Sequence, residues 1–293
     1  MNTSSAKDQC SPAKRWWSKE TVAVVTGANK GIGFATVKKL AELGLTVILT
    51  ARDPEKGQKA VESLRAQGID VWFKRLDVAD ISSITDFASW LHQVFGGLDI
   101  LVNNAAVSFN ELNTNTVEHA ETVIKTNFYG PKLLIEALMP LFRRSPSTSR
   151  ILSLSSRLGL LNKLTNPAIR KLLLEEETLK EEKIDQIVKQ FLIQVKDGTW
   201  QEHGWPKVWT DYSVSKLALN AYSRVLARRL EGNGVSVNCF CPGFTRTDMT
   251  GGWGQRSADE AAAAAAALAL LPSEELPTGK FFKWCIPMLY SKL

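Results

Sequence analysis

Val22-Ala23-Val24-Val25-Thr26-Gly27-Ala28-Asn29-Lys30-Gly31-Ile32-Gly33 is a β-branched apolar run that enters a glycine-rich turn and then a helical repeat. The order strand, turn, helix sets the reading of everything that follows. Backbone amides at the N-terminus of such a helix face whatever binds above the sheet edge, which makes the turn a pyrophosphate site. Gly27 allows the tight turn, Gly31 lets the backbone approach the phosphates, and Gly33 permits close packing of helix on strand. Asn29, Lys30 and Ile32 belong to the same candidate loop. The helix carries Ile32, Ala35, Val37, Leu40 and Ala41 inward and closes at Gly44.

Outward from this unit, short β-branched runs alternate with helical stretches: Val22 to Thr26, Thr46 to Thr50, Val71 to Leu76, Leu98 to Val102, Arg150 to Leu154 and Val235 to Cys241. Lys280 to Trp284 supplies an expected seventh, edge strand. Alternation of this kind predicts an α/β fold, a doubly wound, mostly parallel sheet with ligands at the C-terminal strand edge. No Pro/Gly/Ser-rich linker divides the 293 residues, so one domain over 21–293 is expected behind a loose tail over 1–20. One stretch, 160–208, is too long for a βα connection and reads as a helical insertion. Ile184, Ile187, Val188, Phe191, Leu192 and Val195 repeat there at helical spacing, Thr178 and Glu181 form a capping-box pattern, and Gly198 closes the helix.

Composition removes several function classes. The apolar run Ala261 to Leu271 is far short of the ~20 residues that span a bilayer, so no membrane partner is expected. The net charge is +6, yet the basic residues form no stripe interleaved with aromatics, which argues against nucleic acid. The four cysteines and three histidines have no zinc or disulfide-framework spacing, and no metal is expected.

Tyr212 and Lys216 stand four apart ahead of an apolar helical stretch, so a phenol and an ammonium share one helix face. A fixed cation beside a tyrosine favours the phenolate and brings its pKa toward the working range, which suits acid/base chemistry on an oxygen. At the end of the second strand, Ala51 supplies no carboxylate for ribose hydroxyls, whereas Lys30 and Arg52 together suit a 2′-phosphate. Two solvated surface cations remain the plain alternative, because Asp53 follows Arg52. Asp77-Val78 ends the third strand, where a carboxylate meets an adenine amino group or caps a helix.

Together these residues resemble the short-chain dehydrogenase/reductase family from Val22 to about Trp284. Asn103-Asn104-Ala105-Ala106 is similar to its fourth-strand motif, with Ala106 where the family usually has glycine. Ser155-Ser156 is similar to its catalytic serine, and Pro242-Gly243 with Thr245 to its nicotinamide loop. The long segment before Tyr212, with Gly204-Trp205-Pro206, resembles the carbonyl-reductase branch that includes plant menthone, neomenthol and salutaridine reductases. The resemblance implies a Rossmann fold, NADP(H) as cofactor and a small carbonyl or alcohol as substrate. It implies that Tyr212 donates a proton, Ser156 hydrogen-bonds the carbonyl oxygen, Lys216 tunes Tyr212 and holds the ribose, and Asn127 holds a water that refills the proton. Ser155 is the weaker serine, since strand alternation turns the two to opposite sides. Asn103, Asn104, Pro242, Gly243 and Thr245 are expected beside the cofactor.

The expected activity is an NADPH-dependent reduction of an apolar ketone or aldehyde, terpenoid, alkaloid or lipid-derived. The alternatives are a non-catalytic NADP(H)-sensing protein and a peroxisomal reductase of acyl-chain or hormone-precursor intermediates. The last rests on Ser291-Lys292-Leu293, which matches an address read by a peroxisomal import receptor; otherwise a cytoplasmic location is expected. If the insertion covers the surface on which related reductases pair their helices, the protein is a monomer.

Overall fold

Each β-branched run resolves, in a computed structural model, into a strand of one sheet; the structure describes residues 15–110, 112, 114–143, 147–175, 177–283 and 290–291. In chain order the elements are β1 (Val22–Val25), α1 (Gly31–Glu42), β2 (Thr46–Ala51), α2 (Pro54–Arg65), β3 (Trp72–Arg75), α3 (Ile81–Phe95) and β4 (Ile100–Asn103). They continue with α4 (Val117–Ile124), α5 (Gly130–Leu138), β5 (Ser149–Leu154), α6 (Pro167–Leu174), α7 (Glu181–Lys196), α8 (Thr210–Arg229), β6 (Val235–Cys241), α9 (Ala258–Ala269), β7 (Phe281–Lys283) and β8 (Tyr290–Ser291). The sheet order is β3-β2-β1-β4-β5-β6-β7-β8. All neighbours through β7 are parallel and β8 is antiparallel to β7. The order reverses between β1 and β4, and that switch point opens the crevice in which a doubly wound sheet binds its ligand.

β1, β4, β5 and β6 are buried along their whole length, as strands covered on both faces must be. Val25, Leu49 and Val102 face the layer of α1, α2 and α9, while Val24, Ile48 and Leu101 face that of α3, α5 and α8.

The insertion holds α6 and α7. Ile184, Ile187, Val188, Phe191 and Val195 of α7 are buried and join the core that contains α8. α7 packs on both α4 and α8, and α8 is buried on nearly every side, a burial that only a cover over its outer face produces. Lys132 pairs with Asp185 at 2.8 Å and Glu181 at 3.6 Å, and Arg229 joins Glu136 to Glu181, so charges ring the apolar seam.

Three expectations change. Thr178 does not cap α7: its Oγ1 donates to Glu175, and Lys180 takes the cap position without a side-chain bond, because the chain from 177 to 180 forms a turn of its own. The tail expected to be loose docks from Arg15 onward. Trp16 Nε1 donates to Leu270 O at 3.0 Å, Trp17 Nε1 to Leu43 O at 3.2 Å, and the Arg150 guanidinium lies 3.5 Å over the Trp16 ring. The address at Ser291-Lys292-Leu293 needs a free end, whereas Tyr290–Ser291 pairs with β7, so the backbone of Ser291 is engaged; Lys292 and Leu293 lie outside the described residues. Among the described residues no helix is long and apolar enough to cross a membrane.

Candidate active site

The glycine turn is held from below by Thr26. Its Oγ1 accepts from Asn104 N and Ala105 N, both at 3.0 Å, and Ala28 N donates to Thr50 O at 2.8 Å. Asn104 then reaches under the turn, its Nδ2 donating to Thr26 O at 2.8 Å and Gly27 O at 3.0 Å. A Cβ at Gly33 would lie 2.4 Å from that same Nδ2, and one at Gly27 would lie 2.8 Å from Ala105 Cα. Asn104, expected beside the cofactor, therefore braces the turn through its Nδ2. Asn103 is buried, with Nδ2 3.4 Å from Ser153 Oγ and its Oδ1 lacking a partner.

α1 begins without a side-chain cap and without an acidic residue in its first turn, so its leading amides are open to an anion. Gly31 has φ +58, and Asn29, Gly31 and Ile32 are half-buried at the mouth of the turn. Asp77 Oδ1 accepts from Ala79 N at 3.0 Å and Val78 is buried against Gly130; Asp80, not Asp77, caps α3. An uncapped helix start, a turn with no room for a Cβ at Gly27 or Gly33 and exposed cations beyond β2 fit a dinucleotide phosphate, and the unpartnered Asn103 oxygen can accept from a hydroxyl or amide of the same ligand.

Lys30 does not join Arg52. Its Nζ is 2.7 Å from Asp248 Oδ2 in the loop after β6, and both side chains are largely exposed. Asp53, the residue that threatened to neutralise Arg52, instead caps α2 by accepting from Lys56 N and pairs with Lys56 at 3.4 Å.

α8 carries Tyr212 and Lys216. Ser156 hydrogen-bonds the Tyr212 side chain and accepts from Leu158 N at 3.1 Å, while Ser155 turns inward and donates to Asn220 Oδ1 at 2.5 Å. Lys216 is buried, its Nζ donates to Leu154 O at 2.8 Å and lies 5.5 Å from the Tyr212 ring centroid. Burial pulls the Lys216 ammonium down to about 8. Burial also pushes the Tyr212 phenol up from its ordinary value, against the opposing bond from Ser156. The expected lowering of Tyr212 by Lys216 is thus absent here, because desolvation dominates and the ammonium is directed at a main-chain carbonyl.

Asn127 sits in a π-helical turn, Lys125–Tyr129, between α4 and α5. Its Oδ1 accepts from Val107 N at 2.8 Å, and its Nδ2 donates to Val107 O at 2.9 Å and Ser215 Oγ at 3.1 Å. Ser215 Oγ in turn donates to Tyr212 O, so Asn127 ties the β4 loop to the helix of Tyr212. With both Nδ2 protons used, this side chain positions the helix.

Pro242 and Thr245 are buried and Gly243 takes φ +76, where the chain turns out of β6. Arg246 N bonds Arg256 O, Thr250 Oγ1 bonds Thr245 O, and Asn110 Nδ2 donates to Met249 O at 2.5 Å, which folds the loop into a flap facing Ser108–Asn110. Phe109, Phe244 and Trp253 stay exposed on this side. Sequence reasoning missed Trp209, which adopts φ +45 at the start of α8 and meets the Tyr212 ring edge-on at 6.3 Å. It also missed the buried Asp211, whose Oδ1 accepts Tyr212 N at 2.6 Å; only the step from an insertion to a helix start marked that position.

The family described as short chain dehydrogenase matches residues 21–168, and one described as enoyl-(acyl carrier protein) reductase matches 199–275. The chain belongs to the short-chain dehydrogenase/reductase family. This dehydrogenase/reductase is 42% identical to (+)-neomenthol dehydrogenase of Arabidopsis thaliana over 89% of its own length and 95% of that protein. It is 38% identical to carbonyl reductase [NADPH] 1 of Sus scrofa, with 92% and 96% covered. Its fold matches salutaridine reductase from Papaver somniferum with a TM-score of 0.85 at 36% identity, covering 90% of this chain and all of that one.

Proposed function

We propose that this enzyme is an NADP(H)-dependent carbonyl reductase that transfers hydride between the nicotinamide and an apolar ketone or aldehyde of terpenoid, alkaloid or lipid-derived type. One observation carries the reading: the Tyr212 side chain is bonded to Ser156, with the buried Lys216 ammonium 5.5 Å from its ring centroid. The relatives named neomenthol dehydrogenase, salutaridine reductase and carbonyl reductase support the substrate class and the NADPH preference.

The cofactor, when bound, supplies the hydride. Gly27, Asn29, Gly31, Ile32 and the amides of α1 hold its pyrophosphate, Asp77 and Val78 border the adenine, and Arg52 meets the ribose phosphate. Pro242, Gly243 and Thr245, with the Asn103 oxygen, wall the nicotinamide end. Ser156 donates to the substrate oxygen, where negative charge builds, and Tyr212 hands it a proton. The upward shift of Tyr212 keeps the phenol protonated until that charge develops. Lys216 keeps a cation behind the phenol, and Asn127 and Asp211 hold the helix start in place.

The test is NADPH oxidation at 340 nm over a panel of apolar ketones and aldehydes. Turnover of at least one with NADPH supports the reading; NADPH binding without turnover of any would replace it with the sensing alternative. The cover of α7 over α4 and α8 further supports a monomer, which light scattering at micromolar concentration checks against a stable dimer or tetramer.

A further inference from the structure

Arg75 is an exposed cation at the end of β3 with no place in the reading so far. Parallel pairing of β2 with β3 sets Arg75 directly beside Ala51, the last residue of β2, and Leu76 N closes the ladder on Ala51 O at 3.0 Å. Register partners in a sheet turn to the same face, so Arg75 rises alongside a methyl group and meets no bulk there. Its Nε donates to Arg52 O at 3.2 Å. That single bond fixes the plane of the guanidinium and leaves Nη1 and Nη2 without a hydrogen bond or ion pair among the described residues.

Of the surrounding carboxylates, Asp80 feels the Arg75 charge, yet among the described residues neither it nor Asp53 forms an ion pair with Arg75. Asp53 caps α2 and pairs with Lys56, while Asp80 caps α3 by accepting from Ser82 N and Ser82 Oγ. Lys30, the other cation near the glycine turn, is held by Asp248 across the crevice. Two arginines therefore stand side by side past the C-terminal ends of β2 and β3, where a dinucleotide seated on the glycine turn lays its adenosine ribose.

We propose that Arg75 is a specificity-determining residue that, together with Arg52, grips the 2′-phosphate of NADP(H). The inference rests on the NADP(H) reading above and deepens it. A planar fork held by its Nε presents its two remaining nitrogens to a tetrahedral phosphate without a further ordering cost, which an unanchored lysine does not do.

Ligand binding to the free enzyme tests it, by calorimetry with 2′-AMP, 5′-AMP, NADPH and NADH. Arg75→Ala should weaken 2′-AMP and NADPH by about tenfold or more and leave 5′-AMP and NADH within about twofold. Arg75→Gln, which keeps a donor for the Arg52 carbonyl and loses the charge, should behave like Arg75→Ala, and Arg75→Lys should fall between. Equal losses for phosphorylated and unphosphorylated ligands would reduce Arg75 to a brace for the Arg52 backbone and overturn the proposal, as would unchanged 2′-AMP binding in a wild type that prefers it. A wild type that prefers 5′-AMP and NADH would instead overturn the NADP(H) reading itself.

Discussion

The glycine turn and the flap after β6 face each other across the mouth of the sheet and are held by opposite means. Beneath the turn, buried short side chains lock the main chain: Thr26 Oγ1 and Asn104 Nδ2 satisfy its polar groups, and a Cβ at Gly27 or Gly33 has nowhere to go. The flap folds on its own main-chain bonds but is tethered across the mouth by side chains reaching over long gaps, Lys30 to Asp248 and Asn110 to Met249, and leaves Trp253 75% exposed. A surface defined by main chain suits a ligand that never changes, such as a cofactor. One tethered by exchangeable side chains suits a substrate that differs between relatives.

Tyr212 is the proposed proton donor, and its replacement should have the largest effect. Tyr212→Phe is expected to lower carbonyl turnover by roughly two to four orders of magnitude while NADPH affinity stays close to wild type, since only the proton donor is lost. Stopped-flow turnover with a parallel NADPH titration checks both halves; retained activity would remove Tyr212 from the chemistry.

Next in size is the packing contrast itself. Gly33→Val places atoms where Asn104 Nδ2 and the Ala28 backbone already sit, so a loss of about 1–3 kcal/mol of stability and of NADPH binding is expected. Trp253→Ala should leave the melting temperature unchanged and alter KM for the carbonyl only. Similar melting losses in the two variants would erase the contrast.

Burial of Lys216 predicts a pH dependence of the free enzyme. The ammonium titrates near 8 in the fold and near 10.5 in the unfolded chain, so below 8 both states are protonated and the fold bears the full penalty. Above 8 the unfolded chain binds the extra proton, and the fold gains relative stability as pH rises toward 10.5. Lys216→Met should be the more stable protein at pH 7, by an amount of order 1–3 kcal/mol that shrinks by pH 9.5 in chemical denaturation. A gap independent of pH would show that the ammonium is not desolvated.

The smallest effect concerns the bridge between the two regions. The Lys30–Asp248 pair is exposed on both sides, and solvent screening leaves it little weight in stability. Asp248→Ala should free Lys30 for phosphate and tighten NADPH by up to about threefold at low salt, without altering NADH. Weaker NADPH binding in that variant would mean the flap itself holds the cofactor.

The turn was legible in sequence because positive φ and the absence of a Cβ are written as glycine, and the Tyr212–Lys216 pair because it obeys local helical spacing. The Lys30–Asp248 contact spans 218 positions, and the alignment of Arg75 with Ala51 is a register that only the folded sheet fixes. The two carbonyl partners of Asn104 Nδ2 under the turn are likewise visible only in the fold. Thr178 matched a capping pattern, yet a competing turn took its hydroxyl.

The π turn at Lys125–Tyr129 acts as a phase slip. It lengthens one continuous rod by a single residue's worth of winding, about 100° of rotation on an α-helix. Upstream of the slip α4 is dressed to meet α7 and α8, and downstream α5 is dressed to meet α3. Deleting one residue there would leave every side chain of α5 in place in the sequence and turn the whole stripe away from its partner, so this segment tolerates substitutions far better than changes of length.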